Sequence, residues 1–343
     1  MISLIDVANY IDEKNMPVGH GLKLLKEMPK LFGEKTEILA GKEYIHELKN
    51  DGKVLPCRIH SGIIKKRNIR ILYNYFISLF LAKGDVLIYS FVLEPLLWGI
   101  AFTKLKRKIV IVTCWDWDNY IKSDLFNKPI RKYLVERGLK HIDGCIVTNY
   151  LYVPTKPYLR LSDYYVTDEI KKYCKHEKRN GCICLGEVRS SKDVLGLVRV
   201  ISKTNISLLV VGSFQDKKMY RRVKKFQSDR IKIDNENLSY DAYLEYLSLY
   251  KYVVLPYDIK TYDGRTSGVL LEGIFLGAIP IAPKRLLEQN RIQGLGYHKI
   301  SDIPKLIDLY ESGNITIEND LKKYQFENCK REMRQFLNSL NNK

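Results

Sequence analysis

The stretch that decides the fold is residues 252–283, YVVLPYDIKTYDGRTSGVLLEGIFLGAIPIAP. Its apolar runs predict a buried strand at 252–255, a helix at 268–276 and a further strand at 278–282. A polar loop rich in small residues joins the first strand to the helix. Because the backbone N–H groups at a helix N-terminus bind phosphate oxygens, the segment predicts an anion-binding turn on a parallel sheet.

The same alternation of strand and helix extends outward through the 343 residues. Such alternation is typical of an α/β fold with parallel sheets, and the length is sufficient for two domains. The predicted strands are 1–7, 35–40, 85–91, 108–113 and 144–148 in the first half, and 182–185, 206–211, 231–233, 252–255 and 278–282 in the second. The helices with the clearest apolar spacing are 19–32, 192–202, 217–227, 239–249 and 268–276.

A polar, lysine-rich interval near residues 165–180 separates the two halves. A change of composition of this kind predicts a linker. We therefore expect a first domain over residues 1–170, a second over 171–325, and a closing helix over 326–343 that packs back on the first domain.

The chain carries 57 Lys and Arg against 39 Asp and Glu, a formal net charge of +18. Such a surplus indicates an anionic partner, which is nucleic acid, anionic lipid or a phosphorylated substrate. No RNP pattern or zinc-finger spacing is present, so nucleic acid is the least favoured of the three. The seven cysteines, an odd number at irregular spacings, predict reduced thiols and a cytoplasmic location. We expect neither an export signal nor an apolar run of the roughly 20 residues that cross a bilayer.

Two segments of the second half resemble a known family. LLEGIFLGAIPIA, residues 270–282, is similar to a helix and strand of the GT-B glycosyltransferases, in particular their retaining, family-4-like branch. GEVRSSKD, residues 186–193, follows the predicted strand CICL and resembles that family's glycine- and arginine-containing turn. The resemblance implies two Rossmann-like domains that face each other across a cleft, with the nucleotide sugar held by the second.

The resemblance also implies roles for individual residues. Arg189 and Lys192 would neutralise the leaving diphosphate, whose charge grows as the glycosidic bond breaks. Glu272 would accept hydrogen bonds from the ribose. The donor-binding residues implied in this way are Gly19, Gly186, Arg189, Lys192, Asp263, Arg265, Thr266, Ser267, Gly268, Val269 and Glu272.

The chain departs from the family pattern at Gly264. The family places the first of two glutamates there, eight positions before the residue that matches Glu272, and this first glutamate contacts the hydroxyls of the donor sugar. Asp263 or Arg265 would cover part of that role. The departure leaves open the sugar, the retaining or inverting outcome, and whether the protein is catalytic.

A loop in the first half, NMPVGHG at residues 15–21, lies between the first predicted strand and the first predicted helix. GT-B enzymes place a glycine-containing loop there, near the donor phosphates. Gly19 is therefore a donor-binding candidate and His20 a catalytic one. A plain helix-entry turn is the alternative.

A second loop, TCWDWDNY at residues 113–120, follows a predicted buried strand, where α/β sheets bind ligands. Trp115 and Trp117 would stack on an acceptor sugar, and Asp116 would orient or deprotonate its hydroxyl. The alternative is a core tryptophan and an aspartate that caps a helix. Glu94, after the strand at 85–91, is a further acceptor-binding candidate, and a carboxylate at a helix N-terminus is again the alternative.

The sequence thus predicts a metal-independent, retaining glycosyltransferase that needs no cofactor beyond its co-substrate, a UDP-sugar by preference. The expected acceptor is a saccharide, lipid-linked or part of a surface polysaccharide. Basic residues around the apolar run 71–81 and at 104–108 suit an anionic membrane, so we expect a peripheral protein at its inner face. A non-catalytic partner of an active transferase is the alternative function, and a sugar-nucleotide epimerase is a third.

Overall fold

The computed structural model describes the chain except residues 12–14, 16, 18–20, 50–51, 61–65, 91, 163, 175–179, 265 and 342–343. The chain divides into two compact units, the first formed by Met1–Asp163 with Glu327–Lys343 and the second by Tyr164–Phe326. The sequence placed the boundary at residue 170. The structure assigns the preceding residues to the second unit because Tyr164, Val166 and Ile170 are buried in its core.

Short, mostly apolar runs form the strands. They are β1 Ile2–Ile5, β2 Tyr10–Ile11, β3 Thr36–Ala40, β4 Lys53–Val54, β5 Ile59–His60, β6 Val86–Tyr89, β7 Lys108–Thr113, β8 Gly144–Val147, β9 Tyr158–Arg160, β10 Cys182–Leu185, β11 Leu208–Val211, β12 Ile231–Asp234, β13 Tyr252–Val254, β14 Ile279–Pro283 and β15 Leu295–Tyr297.

Helices separate most of these strands. They are α1 Gly21–Phe32, α2 Lys42–Leu48, α3 Arg67–Leu81, α4 Glu94–Ala101, α5 Trp117–Ser123, α6 Pro129–His141, α7 Asp168–Lys171, α8 Val194–Ile201, α9 Lys217–Lys224, α10 Tyr240–Leu249, α11 Ile259–Tyr262, α12 Gly268–Phe275, α13 Lys284–Asn290, α14 Ile303–Glu311 and α15 Phe326–Asn341. Short 3₁₀ turns lie at Ile300–Asp302 and Lys322–Tyr324.

The first unit holds a seven-stranded sheet in the order β4-β3-β1-β6-β7-β8-β9. Every pairing in it is parallel. Strands β1, β6 and β8 are buried along their whole length, which is why each is a continuous apolar or small-residue run. The strand order reverses between β1 and β6, which are neighbours in the sheet but not in the chain.

The second unit holds a six-stranded parallel sheet in the order β12-β11-β10-β13-β14-β15. Numbered within the unit, this order is 3-2-1-4-5-6, the arrangement of the doubly wound dinucleotide-binding folds. Strands β10, β11 and β13 are fully buried. The strand order reverses between β10 and β13.

The closing helix α15 belongs to the first unit from Glu327 onward. Its residues Phe336 and Leu340 lie against Gly144 at the start of β8, so close that a Cβ on Gly144 would stand 2.8 Å from the Phe336 ring. Met333 is fully buried on the same helix. In the part of the chain that the structure describes, no helix is long and apolar enough to cross a membrane.

Candidate functional site

The strand-order reversal of the second unit lies at the carboxyl ends of β10 and β13. Open α/β sheets bind ligands at such a reversal, because the connections on its two sides leave a crevice. Gly186 directly follows β10 and has a φ of +90°. Gly212 follows β11, and a Cβ on it would lie 2.3 Å from the Gly186 carbonyl oxygen. Gly186 is therefore required by its left-handed backbone, and Gly212 by the close approach of the two loops.

Backbone hydrogen bonds of the residues on either side of Lys192 hold it at this strand-order reversal. The N–H of Asp193 donates to the carbonyl of Pro256 at 2.7 Å, and the N–H of Asp258 donates to the carbonyl of Ser191 at 2.8 Å. These bonds tie the segment after β10 to the segment after β13, with Lys192 between them. Asp193 then caps α8 by accepting from the N–H of Gly196.

The ammonium of Lys192 is buried, and the residue is only 6% exposed. Its Nζ lies 5.2 Å from the centre of the Tyr257 ring, a cation–π contact. Among the residues that the structure describes, no acceptor or carboxylate is within bonding distance of Nζ. Burial accordingly lowers the pKa of Lys192 below its ordinary value.

Three of the predicted donor residues meet at one point. The position that a Cβ would take on Gly186 is 3.8 Å from Nζ of Lys192 and 3.8 Å from Cγ2 of Val269. Val269 is in the first turn of α12, so the N-terminus of that helix and the lysine border the same space. The arrangement places a positive charge and helix N–H groups around an open glycine backbone. Groups of these kinds bind phosphate.

The start of α12 is fixed by neighbouring hydroxyls. Ser267 is the N-cap, and its Oγ accepts from the N–H of Leu270. Tyr257 Oη lies 3.3 Å from the same Oγ. A Cβ on Gly268 would stand 2.4 Å from the hydroxyl oxygen of Tyr164, so a larger residue would displace that buried ring. Thr266 precedes this turn.

Glu272 is buried one turn into α12 and is held by two tyrosines of α10. Tyr240 donates to its Oε1 at 2.8 Å, and Tyr243 donates to its Oε2 at 2.9 Å. The two tyrosine rings are stacked with their centres 5.9 Å apart. Burial and the adjacent carboxylate raise the pKa of Tyr243 well above its ordinary value. The sequence analysis missed both tyrosines, although they lie one turn apart directly after the Ser239 cap.

The remaining candidates of this unit have partners of their own. Arg189 is largely exposed and pairs through Nε with Glu187 at 2.7 Å. Asp263 pairs with Arg285 at 3.3 Å. Gly264 has a φ of +72°, and its N–H donates to Oε1 of Gln289 at 3.0 Å. The position where the family has its first glutamate therefore carries a left-handed turn in this chain. Arg265 lies outside the described residues, as do Gly19 and His20 of the first unit.

The first unit has a cavity of ≈ 280 Å³ beyond the carboxyl ends of β6 and β7. It is lined by Arg67, Asn68, Val92, Leu93, Glu94, Pro95, Trp98, Trp115, Trp117, Tyr120 and Arg131. Within the described residues, the buried Nε atoms of Arg67 and Trp98 have no hydrogen-bond partner. The structure thus brings together Glu94, Trp115 and Trp117, the predicted acceptor residues other than Asp116, with donors that the sequence did not indicate.

Glu94 forms the charged wall of this cavity. Nε of Arg131 donates to its Oε2 at 2.9 Å, and both Arg131 and Tyr120 donate to its Oε1. Burial, reinforced by Glu94, raises the pKa of Tyr120 to about 12. Both carboxylate oxygens are therefore already engaged, so Glu94 positions its neighbours as well as lining the cavity.

Trp117 and Asp116, in the loop of residues 113–120, have the structural roles that were given above as alternatives to ligand binding. Trp117 is buried and donates through Nε1 to the Thr113 hydroxyl at 3.0 Å. Asp116 is the N-cap of α5 and accepts from the N–H of Asn119 at 2.9 Å. Trp115 is 41% exposed and is the indole of this loop that is free to stack on a ligand. The catalytic role of Asp116 stays a prediction.

Among the described residues, no group of three His, Cys, Asp or Glu side chains is placed to hold a metal ion. The seven cysteines form no disulfide with one another. Lys192 supplies a positive charge at the candidate site.

Neither a protein-family model nor a curated protein matches the sequence. Solved structures match it over nearly its whole length. A UDP-forming α,α-trehalose-phosphate synthase from Burkholderia xenovorans, in complex with glucose-6-phosphate, has a TM-score of 0.64 at 9% identity, with 99% of each chain covered. A UDP-GlcNAc 2-epimerase from Neisseria meningitidis, bound to UDP-GlcNAc, has a TM-score of 0.61 at 9% identity, with 99% of this chain and 100% of that chain covered.

A glycosyltransferase from Rickettsia africae ESF-5 has a TM-score of 0.57 at 15% identity, with 99% of this chain and 96% of that chain covered. These identities are low, so the likeness shows the fold. The chain has the GT-B glycosyltransferase-like fold, with two Rossmann-like domains. The predicted fold class is confirmed, and the likeness does not distinguish the family-4 branch.

Proposed function

We propose that the protein is a glycosyltransferase that takes its sugar from a nucleoside diphosphate, with a UDP-sugar as the favoured donor. The observation that carries the proposal is the buried ammonium of Lys192 at the strand-order reversal, beside Gly186 and the start of α12. A buried charge without a partner is costly unless a ligand supplies the opposite charge. A diphosphate supplies it there.

Different residues of the second unit bind different parts of the donor. Lys192 and the N–H groups at the start of α12 stabilise the diphosphate, whose negative charge increases as the bond to the sugar breaks. Glu272, held by Tyr240 and Tyr243, accepts hydrogen bonds from the ribose. Arg189 reaches the diphosphate by turning away from Glu187. This set supports metal-independent transfer, and the family resemblance supports a retaining outcome.

The cavity of the first unit is the proposed acceptor site. Trp115 offers an exposed indole face for stacking on a sugar ring. Arg67 and Trp98 line the same cavity, and their buried Nε atoms have no hydrogen-bond partner among the described residues. We propose a saccharide acceptor, lipid-linked or part of a surface polysaccharide, and an enzyme attached peripherally to the inner face of an anionic membrane. Asp116 and His20 are the proposed residues for handling the acceptor's proton.

A thermal-shift experiment with UDP, GDP, CMP and dTDP tests the donor site. A ligand at roughly 100 times its Kd stabilises a protein by about 2.7 kcal/mol, which gives a measurable rise in Tm. We expect one diphosphate to stabilise the wild type and Lys192→Met to abolish that stabilisation. The ligand-free Tm of Lys192→Met should equal or exceed that of the wild type, because the substitution removes a buried, unpaired charge.

Lys217→Met is the matched control, since Lys217 is exposed at the start of α9 in the same unit. It should keep the full ligand-induced shift. A Lys192→Met protein that still responds to the diphosphate would overturn the donor site. A loss of the shift accompanied by a much lower ligand-free Tm would mean that Lys192 is structural.

A non-catalytic partner of an active transferase is the second candidate, and the observation that favours it is the left-handed turn at Gly264 in place of a glutamate. Incubation with the stabilising UDP-sugar distinguishes the functions. A transferase releases UDP only when an acceptor is added. An epimerase converts the UDP-sugar without an acceptor, and a non-catalytic protein binds the sugar nucleotide unchanged.

A further inference from the structure

Helix α3 exposes a stripe of large apolar side chains. Ile69, Tyr73, Phe76 and Phe80 are all exposed, Ile69 at 69% and Phe80 at 85%. Their spacing of four, three and four residues places them on one face of the helix. The opposite face is buried and includes two polar residues, Asn74 and Ser78. Ile71 and Tyr75 on the buried face pack into the core of the unit, so the exposed stripe is apolar surface that the core of the unit does not use.

The buried polar side chains of α3 are fully used inside the unit, so the orientation of the helix is fixed. Asn74 donates to the carbonyls of Val7 and Cys57 and accepts from the N–H of Cys57. Ser78 donates to the carbonyl of Tyr75. Turning the outer face inward would break the bonds of Asn74 to Val7 and Cys57, and the stripe therefore stays available to an external partner.

The exposed apolar side chains are concentrated in the first unit. Of the sixteen large hydrophobic side chains that are exposed among the described residues, fourteen lie in residues 1–158 and only Tyr240 and Leu249 lie in the second unit. Phe102, at the end of α4, is 67% exposed. On α3 these exposed side chains line up along one face, unlike the singly scattered apolar residues of an ordinary surface.

Basic residues accompany the stripe. Residues 66–108 contain eight Lys and Arg against two Asp and Glu. Arg107 donates to the carbonyls of Leu79 and Ala82, which places its guanidinium at the C-terminal end of α3. Arg107 also lines a cavity of ≈ 490 Å³ with Phe102, Lys104 and Lys106. Within the described residues, the ammonium groups of Lys104 and Lys106 have neither a hydrogen-bond nor an ion-pair partner.

We infer that the outer face of α3, with Phe102 and the basic cavity beside it, docks the protein on an anionic phospholipid membrane. Aromatic side chains enter the boundary between head groups and acyl chains, and the lysines pair with lipid phosphates. A second copy of the chain is disfavoured as the occupant, because two such surfaces would bring like charges together. The inference deepens the proposed function. It rests on that function in one respect: a lipid-linked acceptor would give the protein a reason to be at a membrane.

Co-sedimentation with vesicles tests the docking without donor or acceptor, so its failure is distinguishable from failure of the proposed activity. At low salt, we expect binding to phosphatidylcholine vesicles that contain phosphatidylglycerol and little binding to phosphatidylcholine alone. The double substitution Phe76→Ser/Phe80→Ser should weaken binding about tenfold or more. Leu249→Ser, which removes an exposed apolar side chain of the second unit, should leave binding unchanged.

Two double variants test whether vesicle binding requires the positive charges of Lys104 and Lys106. Lys104→Glu/Lys106→Glu and Lys217→Glu/Lys218→Glu alter the net charge equally, but only the first pair belongs to the unit that carries the stripe. We expect about a tenfold or greater loss for the first pair and a small change for the second. All four positions are exposed, so the variants should keep the wild-type Tm.

Three results would overturn the inference. One is the absence of binding to the anionic vesicles. Another is equal loss for the two lysine pairs, which would indicate attraction by net charge alone. The third is a dimer in sedimentation velocity that Phe76→Ser/Phe80→Ser dissociates, which would identify a second copy as the occupant.

Discussion

Tyr243 donates a hydrogen bond of 2.9 Å to Oε2 of Glu272, from one helix to the next. Tyr240 engages the other oxygen of the same carboxylate at 2.8 Å. The carboxylate is therefore fixed in one orientation before any ligand arrives. In the donor site proposed above, this fixed orientation is what lets Glu272 recognise a ribose.

Tyr243→Phe should lower the affinity for UDP and leave the affinity for inorganic pyrophosphate unchanged. The substitution removes one donor from a buried carboxylate, and a hydrogen bond to a charged group contributes about 1.5–3 kcal/mol. Isothermal titration of both ligands measures the difference, with Tyr246→Phe on the same helix as control. Equal losses for UDP and pyrophosphate would contradict a ribose contact and indicate general distortion of the site.

Gly264→Glu, which restores the residue of the family pattern, should destabilise the protein. A side chain in the left-handed region costs about 1–2 kcal/mol, and asparagine tolerates that region better than most residues. We therefore expect a lower urea midpoint for Gly264→Glu and a smaller decrease for Gly264→Asn. If the glutamate variant were as stable as the wild type, the turn would not explain the departure from the family.

Glu94→Gln should destabilise the first unit. The substitution breaks a forked pair with Arg131 in which the carboxylate is mostly buried, its side chain being 11% exposed. We expect a loss of about 1–3 kcal/mol in the free energy of unfolding, because the remaining donors of Arg131 and Tyr120 lose a charged acceptor. Glu136→Gln, on α6 and without such a pair, should change stability little. Similar losses for both variants would mean that the forked pair of Glu94 and Arg131 contributes no more to the free energy of unfolding than the removal of any one negative charge does.

The strands were predicted where burial on both faces makes the sequence continuously apolar. CICL at β10 and LLVV at β11 are such runs, and the predicted and observed residues agree closely. Five strands have no predicted counterpart, and three of them, β2, β4 and β5, are only two residues long. β9 lies in a polar interval with nearby prolines, and β15 is three residues long with a central glycine. Their pairing with β8 and β14 depends on the tertiary structure rather than on their own residues.

In the candidate site too, features of short segments could be predicted from the sequence, and contacts between distant elements could not. Lys192 and Glu272 are implied by the resemblance of two short segments to a known family, and such a resemblance is a local property of the chain. The tyrosines that hold Glu272 come from another helix, and only the packing of α10 on α12 brings them there. Likewise, no local signal indicates that Arg131 and Trp98 line the same cavity as Trp115, because β6, β7 and α6 must first pack together.

Asp6 provides a pH-dependent prediction at the strand-order reversal of the first unit. It follows β1, is only 2% exposed, and accepts hydrogen bonds from the N–H groups of Ala8 and Asn9. Burial raises its pKa above the ordinary value, and the two N–H groups offset that effect only in part. The folded protein therefore binds this proton more tightly than the unfolded chain, and the resulting stabilisation is lost as the pH rises through the raised pKa.

Asp6→Asn keeps an acceptor oxygen for the two N–H groups but cannot ionise. We expect its Tm to exceed that of the wild type near neutral pH, where the wild type buries a charge, and to approach the wild-type value in acid, where Asp6 is protonated. Asp308→Asn, at an exposed position of α14, should show no such pH-dependent gain. A Tm for Asp6→Asn below that of the wild type at every pH would mean that the two N–H groups require a full negative charge, and that hydrogen bonding rather than burial decides the ionisation of this carboxylate.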